Sequence, residues 1–263
     1  MSERNHTFVI CAYKESPYLE ACIQSLRAQT VPSRILMVTS TPNPWIEKCS
    51  EKYGIPLEIN TGEKGITQDW NFAYHKAKTE FITIAHQDDV YLPGYTEQIL
   101  TRLKKAKKPL IAFTDYGELR EGKVELYNQL LKIKRLMLFP LRGKIFSGSR
   151  FVRRRILSMG CPICCPSVTF ARKNLPEKIF RAGFRSDEDW EAWERLSRER
   201  GDFVYVKEVL MYHRIHEGSE TTAILGDCAR SKEDYVMFCK FWPKAIAKIL
   251  VKVYAKSENS NQL

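Results

Sequence analysis

The chain has 263 residues, 44% hydrophobic and 28% charged, with eight cysteines and a formal net charge of +11. That composition excludes wholesale disorder, and no run nears the roughly 20 apolar residues that cross a bilayer. Residues 101–160 hold 16 Lys and Arg against 4 Asp and Glu, so this segment alone exceeds the whole positive excess. It calls for an anionic partner: nucleic acid, a phosphorylated substrate or an anionic membrane surface.

The chain enters a strand-like run within its first residues, with no export signal ahead of it. Eight cysteines in a chain this long are not a disulfide framework, so reduced thiols and a cytoplasmic location are expected. Phe8-Val-Ile-Cys-Ala-Tyr13 reads as a strand buried on both faces. Ser16-Pro17 then caps a helix carrying Leu19, Cys22, Ile23 and Leu26 on one face. Arg34–Thr39 is a second strand, Trp45–Tyr53 a helix and Leu57–Asn60 a third strand. A turn at Gly62–Gly65 leads to a helix capped by Thr67, with Trp70, Ala73, Tyr74 and Ala77 on one side. Phe81–Ala85 is the next buried strand and ends in His86-Gln-Asp-Asp89. Pro93 opens a helix to about Leu103, and Leu110–Phe113 is a further strand. Strands alternating with helices predict an α/β chain with a mostly parallel sheet, whose ligands sit beyond the carboxyl ends of the strands.

Residues 117–160 are basic and weakly periodic. Cys161–Phe170 reads as a strand, and Ser186 begins a helix to about Arg200. Phe203–Val206 and Glu208–Tyr212 read as two strands, and Asp227–Lys256 as two helices broken at Pro243. Ser257–Leu263 reads as a frayed tail.

Asp88 and Asp89 directly follow a buried strand, where adjacent carboxylates need a cation or donors to balance them. Hard oxygen ligands of this kind suit Mg²⁺ or Mn²⁺ bridged to a phosphate, and a solvated acidic turn is the alternative. Ser186-Asp-Glu-Asp189 is likewise either a catalytic carboxylate site or a run of acids at the positive end of a helix. His213, Arg214 and His216 suit a diphosphate or a metal, or are polar side chains at a strand end. Cys161-x-x-Cys164 has no second pair for zinc.

Taken together, the stretches Phe8–Glu15, Leu19–Thr30, Gly65 with Asn71, Ala85–Asp89, Glu188-Asp189-Trp190 and Tyr212-His-Arg-Ile-His216 resemble family 2 glycosyltransferases of the GT-A fold. The similarity runs from about Phe8 to Thr222. It implies a nucleotide-sugar donor, usually a UDP-sugar, and Mn²⁺ or Mg²⁺ as cofactor. The acceptor would be a glycan or a lipid-linked molecule, as in cell-envelope glycan biosynthesis. By resemblance Ala12, Tyr13, Glu15, Thr39, Asn71, Gln87, Asp88 and Arg214 meet the donor. Asp89, Asp88 and His216 meet the metal, with Asp89 preferred. Asp189 is the implied general base, with Glu188 beside it and Asp187 as the alternative base. The implied organisation is a nucleotide-sugar-binding half over 1–116, an acceptor half over 117–222 and a helical extension over 223–263.

Two departures stand out. Thr39-Ser-Thr-Pro42 replaces the acid that usually follows the second strand, and His86 stands where the first acid of the metal motif often is. The Gln-x-x-Arg-Trp motif of processive synthases is absent, which favours transfer of a single sugar over processive growth; the resemblance implies that transfer inverts. The last helix carries Ile246, Ile249, Leu250 and Val253 opposite Lys244, Lys248, Lys252 and Lys256. It either packs on its own domain or lies peripherally on an anionic membrane. The rival readings are a basic nucleic-acid-binding protein, with Phe139, Phe146 and Phe151 stacking among cations, and a catalytically inactive GT-A relative. No nucleic-acid motif is present, so no nucleic-acid partner is expected.

Overall fold

A computed structural model describes residues 5–216 and 229–259. The strands are β1 (His6–Cys11), β2 (Arg34–Thr39), β3 (Leu57–Ile59), β4 (Phe81–His86), β5 (Val90–Tyr91), β6 (Pro109–Arg120), β7 (Lys123–Glu125), β8 (Val168–Ala171) and β9 (Asp202–Ile215). The helices are α1 (Leu19–Arg27), α2 (Pro44–Tyr53), α3 (Ile66–Lys76), α4 (Tyr95–Lys105), α5 (Gln129–Leu138), α6 (Lys144–Ser147), α7 (Arg150–Leu157), α8 (Glu188–Leu196), α9 (Ala229–Cys239) and α10 (Lys244–Asn259).

Among the described residues one sheet runs β3-β2-β1-β4-β8-β6-β9-β5, with β7 beside β6. The β3-β2-β1-β4 half is parallel, β8 is antiparallel to both its neighbours, and β6 and β9 are parallel to each other. Side chains alternate across the sheet. Phe8 and Ile10 pack with Leu19, Ile23 and Ile99 on one face, while Val9, Ile82 and Ile84 pack with Trp190, Trp193 and Phe238 on the other. Burial on both faces is why these strands read as continuous apolar runs.

Several boundaries move. Thr67 does not cap α3, which starts at Ile66 after Gly65. Ser16 acts one turn before α1: its hydroxyl accepts from Tyr18 N at 3.2 Å, and the helix begins at Leu19. The two strands expected over 203–212 are one strand, β9, with a bulge opposite Thr114 and Asp115. The weakly periodic stretch 117–160 folds into the end of β6, β7 and helices α5 to α7. The 116/117 boundary falls inside β6, so the residues on its two sides share one sheet. The 222/223 boundary and the last four residues lie outside the described residues.

In α10, Ala247 is buried and Leu250, Val251 and Tyr254 pack on the core, whereas Ile246, Ile249 and Val253 are exposed. The expected apolar stripe therefore splits, and most of it faces water. Among the described residues no helix is long and apolar enough to cross a membrane.

Candidate active site

Parallel pairing of β1 with β4 brings the segments after both strands to the same end of the sheet. Beyond β1 the chain turns at Lys14, whose φ is 51° and whose N–H donates to Thr41 Oγ1 at 2.8 Å. Tyr13 N donates to Gln87 Oε1 at 3.0 Å, and Gln87 Nε2 donates back to Tyr13 O at 2.9 Å. Gln87 thus staples the β1 end to the β4 end. The Tyr13 ring and Glu15 are exposed there, and Ala12 is buried.

Thr39 is buried, and its hydroxyl accepts from Thr41 N at 3.0 Å. Next to it, Ser40 Oγ and Asn60 Nδ2 donate to the two oxygens of Asp69, at 2.6 and 2.7 Å. Asp69 lies in the first turn of α3. It brings a carboxylate to the ends of β2 and β3, where the sequence after Val38 has no acid. Sequence reasoning missed it because it comes from a different element; an acid just inside a helix after a glycine turn was the available signal.

Asn71 corrects an expectation. Its Nδ2 donates to Thr67 O and Phe180 O, at 2.9 and 2.8 Å. Its Oδ1 accepts from Ile179 N and Phe180 N, at 3.1 and 3.0 Å. A buried amide engaged on both ends clamps residues 179–180 to α3 and has no group left for a donor molecule.

The two carboxylates after β4 differ sharply. Asp89 is fully buried; its Oδ1 accepts from His213 Nδ1 at 3.0 Å and from Arg214 N at 2.9 Å. Its Oδ2 has no hydrogen-bond partner and lies 4.0 Å from His86 Nδ1. Asp88 is partly exposed, and its Oδ2 lies 3.0 Å from His216 Nε2. Asp89 thus holds the end of β9 through Oδ1 and keeps Oδ2 without a partner, and Asp88 faces outward. Arg214 Nε donates to Asp88 O at 2.8 Å, and its guanidinium lies 4.3 Å from the centroid of the Tyr18 ring.

The electrostatics follow from this packing. Burial pushes Asp88 up, but the His216 hydrogen bond and the nearby His86 and His213 outweigh it, so its carboxyl sits below the usual range. Burial pushes His213 down, yet Asp89 and then Asp88 raise it to about 8. His86 is lowered by burial against the pull of both carboxylates, and its ring stacks on Trp70 at 5.2 Å and 12°.

The other carboxylate site lies at the start of α8. Burial raises Asp189 to about 6, while the Trp190 N–H, Lys134 and Arg230 partly oppose it. Its Oδ1 accepts from Trp190 N at 2.6 Å, and Cys161 Sγ lies 3.8 Å from its Oδ2. By accessible surface Asp189 is partly open, whereas Asp187 and Glu188 are buried. Burial, Asp234 and Asp189 raise Asp187 well above the usual carboxylate range. Glu233 of α9 caps the segment leading into α8, accepting from Arg185 N, Ser186 N and Ser186 Oγ, at 2.9, 2.8 and 2.7 Å. Lys134 of α5, which sequence reasoning missed, donates to Tyr116 Oη at 2.9 Å, and its charge reaches Asp189.

Among the described residues no three His, Cys, Asp or Glu side chains form a preassembled metal cage. The donor chemistry nonetheless fits a divalent ion. Asp88 Oδ2 and His216 Nε2 bond to each other at 3.0 Å and the buried Oδ2 of Asp89 has no partner, so carboxylate and imidazole donors are present at the end of β4 for one divalent ion. Ions of this class take their remaining ligands from phosphate and water.

Similar structures share this architecture. The S. aureus TarS 1–349 structure in complex with UDP-GlcNAc matches with a TM-score of 0.62 at 14% identity, over 94% of this chain and 70% of that one. The mannosyltransferase PcManGT from Pyrobaculum calidifontis, in complex with GDP-Man and Mn²⁺, matches with a TM-score of 0.63 at 13% identity, over 95% and 69%. Glucosyl-3-phosphoglycerate synthase from Mycobacterium tuberculosis, in complex with Mn²⁺, UDP and phosphoglyceric acid, matches with a TM-score of 0.58 at 14% identity, over 91% and 80%. No curated protein matches the sequence. The sequence model described as Glycosyl transferase family 2 matches residues 7–180, which takes in β1 through β8 and both carboxylates after β4. The chain belongs to glycosyl transferase family 2 and is a glycosyltransferase of GT-A fold.

Proposed function

We propose that the protein transfers a single sugar, with inversion, from a UDP-sugar to a glycan or lipid-linked acceptor in cell-envelope glycan biosynthesis, and that transfer depends on Mn²⁺ or Mg²⁺. The observation that carries this reading is the carboxylate pair at the end of β4, with His216 on Asp88 and the buried Oδ2 of Asp89 without a partner. Asp88 and His216 would hold that ion, which neutralises charge on a bound diphosphate and on the departing nucleotide. The relatives crystallised with UDP-GlcNAc, with GDP-Man and Mn²⁺, and with Mn²⁺ and UDP support the class of donor and metal.

The other roles follow from position. Tyr13, Glu15, Thr39 and Asp69 line the ends of β1 to β3 and take the nucleoside, with Asp69 supplying the carboxylate missing after β2. Arg214, held by Asp88 O, offers its remaining N–H groups to phosphate. Asp189 accepts the proton of the acceptor hydroxyl as its oxygen attacks the anomeric carbon. The bond to the nucleoside diphosphate breaks on the opposite side, so the configuration inverts. A carboxylate raised to about 6 is a stronger base than an ordinary one and is still ionised at neutral pH. Asp189, rather than its buried neighbours Asp187 and Glu188, has the exposure the step requires.

Thermal-shift screening of UDP- and GDP-sugars, with and without Mn²⁺, tests the reading. The expected result is Mn²⁺-dependent stabilisation by a UDP-sugar that Asp88→Asn removes and Asp189→Asn keeps. Stabilisation by none of them, with or without Mn²⁺, would overturn it.

A further inference from the structure

The surface formed by α5, the 3₁₀ turn Phe139–Arg142, α6 and α7 is unlike the rest of the molecule. Residues 126–160 contain nine Lys and Arg and no Asp or Glu; Lys134, Arg135, Arg153 and Arg154 turn inward or pair with other elements, and Lys132, Arg142, Lys144, Arg150 and Arg155 stand exposed. The same stretch exposes large apolar side chains: Leu136 is 74% accessible, Phe139 61%, Ile145 86% and Phe151 71%, with Phe146 and Met159 about half exposed. Nothing described in the chain covers them. Cations stand among them, with Arg142 over the Phe139 ring at 5.3 Å and Arg155 over the Phe151 ring at 5.5 Å. Lys132, Lys144 and Arg150 are exposed in the same run. Apolar side chains on monomer surfaces normally scatter singly; a contiguous run along one chain segment marks a contact surface.

We infer that this face docks on an anionic lipid bilayer, inserting Phe139, Ile145 and Phe151 among the acyl chains while Arg142, Lys144, Arg150 and Arg155 contact the headgroups. Charge complementarity selects that occupant. A second copy of the chain pairing through the same face would set like charge against like charge with no acid to relieve it. A nucleic acid would pair with the cations but leave Leu136 and Ile145 in water. A bilayer satisfies both sets at once, as basic amphipathic surfaces do. The site of transfer lies nearby in the fold, because α5 turns Leu136 outward and Lys134 inward toward Tyr116.

The inference goes beyond the transfer reaction and does not depend on it. The test is flotation of the full chain with vesicles of phosphatidylcholine alone and of phosphatidylcholine with phosphatidylglycerol, at low and at high salt. The intact protein should float with the anionic vesicles only, and less at high salt. The pair Phe139→Ser and Phe151→Ser, and separately the pair Arg142→Gln and Lys144→Gln, should each lower partitioning by about tenfold or more. These side chains are exposed, so melting temperature and UDP binding should stay as in the intact chain; Ile145→Ser with Leu136→Ser provides an independent apolar pair. Equal partitioning of the intact chain and both apolar pairs would overturn the inference. So would no flotation with either vesicle, or a dimer in sedimentation velocity that the apolar pairs dissociate.

Discussion

Asp89→Asn separates a structural carboxylate from a metal ligand. Asp89 is fully buried and accepts from His213 and from the Arg214 N–H, so its charge acts inside the protein. Burial alone would depress His213; Asp89, followed by Asp88 and Glu118, reverses this and takes it from 6.5 to about 8, a net shift worth about 2 kcal/mol. Because the folded-state value is raised, that stabilisation is present in full below pH 6.5 and is lost as pH rises through about 8. Asparagine keeps the shape but removes the charge. Without metal or nucleotide, the variant should melt roughly 4–8 °C below the intact chain at pH 6, given 2–4 °C per kcal/mol in a chain of this size. The gap should narrow by about half or more at pH 9. Scanning fluorimetry across that range reads both. Equal melting at pH 6, or a gap that does not change with pH, would refute the account of Asp89 as a charged strut.

Other substitutions test the remaining assignments. Asp189→Asn should reduce kcat by about a hundredfold or more while leaving donor affinity within about twofold. In the intact enzyme kcat/KM should fall about tenfold per unit as pH drops below about 6, where Asp189 takes up its proton; a flat acidic limb would exclude it as the base. Asp88→Asn should weaken Mn²⁺-dependent UDP binding in calorimetry by about tenfold and shift the melting temperature little, the reverse of Asp89→Asn. Asn71→Ala should cost about 2–4 kcal/mol, since it strands the buried N–H groups of Ile179 and Phe180, and chemical denaturation would read it.

The parallel half of the sheet was legible because β1, β2 and β4 are buried on both faces and flanked by amphipathic helices. Nothing in that pattern competes with the period. Residues 126–160 were not legible for the opposite reason. Leu136, Phe139, Ile145 and Phe151 stand on the outside, so the apolar positions do not mark an inner face. The bulge in β9 hid a strand in the same way, by breaking the alternation where the chain stays paired with β6. At the site, the motif found Asp88, Asp89 and Asp189 but could not rank the first two. Burial and the partners supplied by β9 set the two apart, and those partners come from 124 residues downstream. Asn71, expected at the donor, turns to residues 179–180, and the unforeseen Asp69 turns to the ends of β2 and β3, because side-chain direction along α3 is set by what those segments present to it.

Glu233 has a practical implication. A fragment ending at residue 216 would retain every strand of the sheet and every carboxylate assigned to chemistry. It would nonetheless lose the anion that plugs the N–H groups ahead of α8, together with Phe238, whose ring meets Trp190 at 5.1 Å. Trimming the chain at residue 216 would therefore leave Asp189 attached to a loosened segment. Activity measured on such a truncated form would underreport what the whole chain can do.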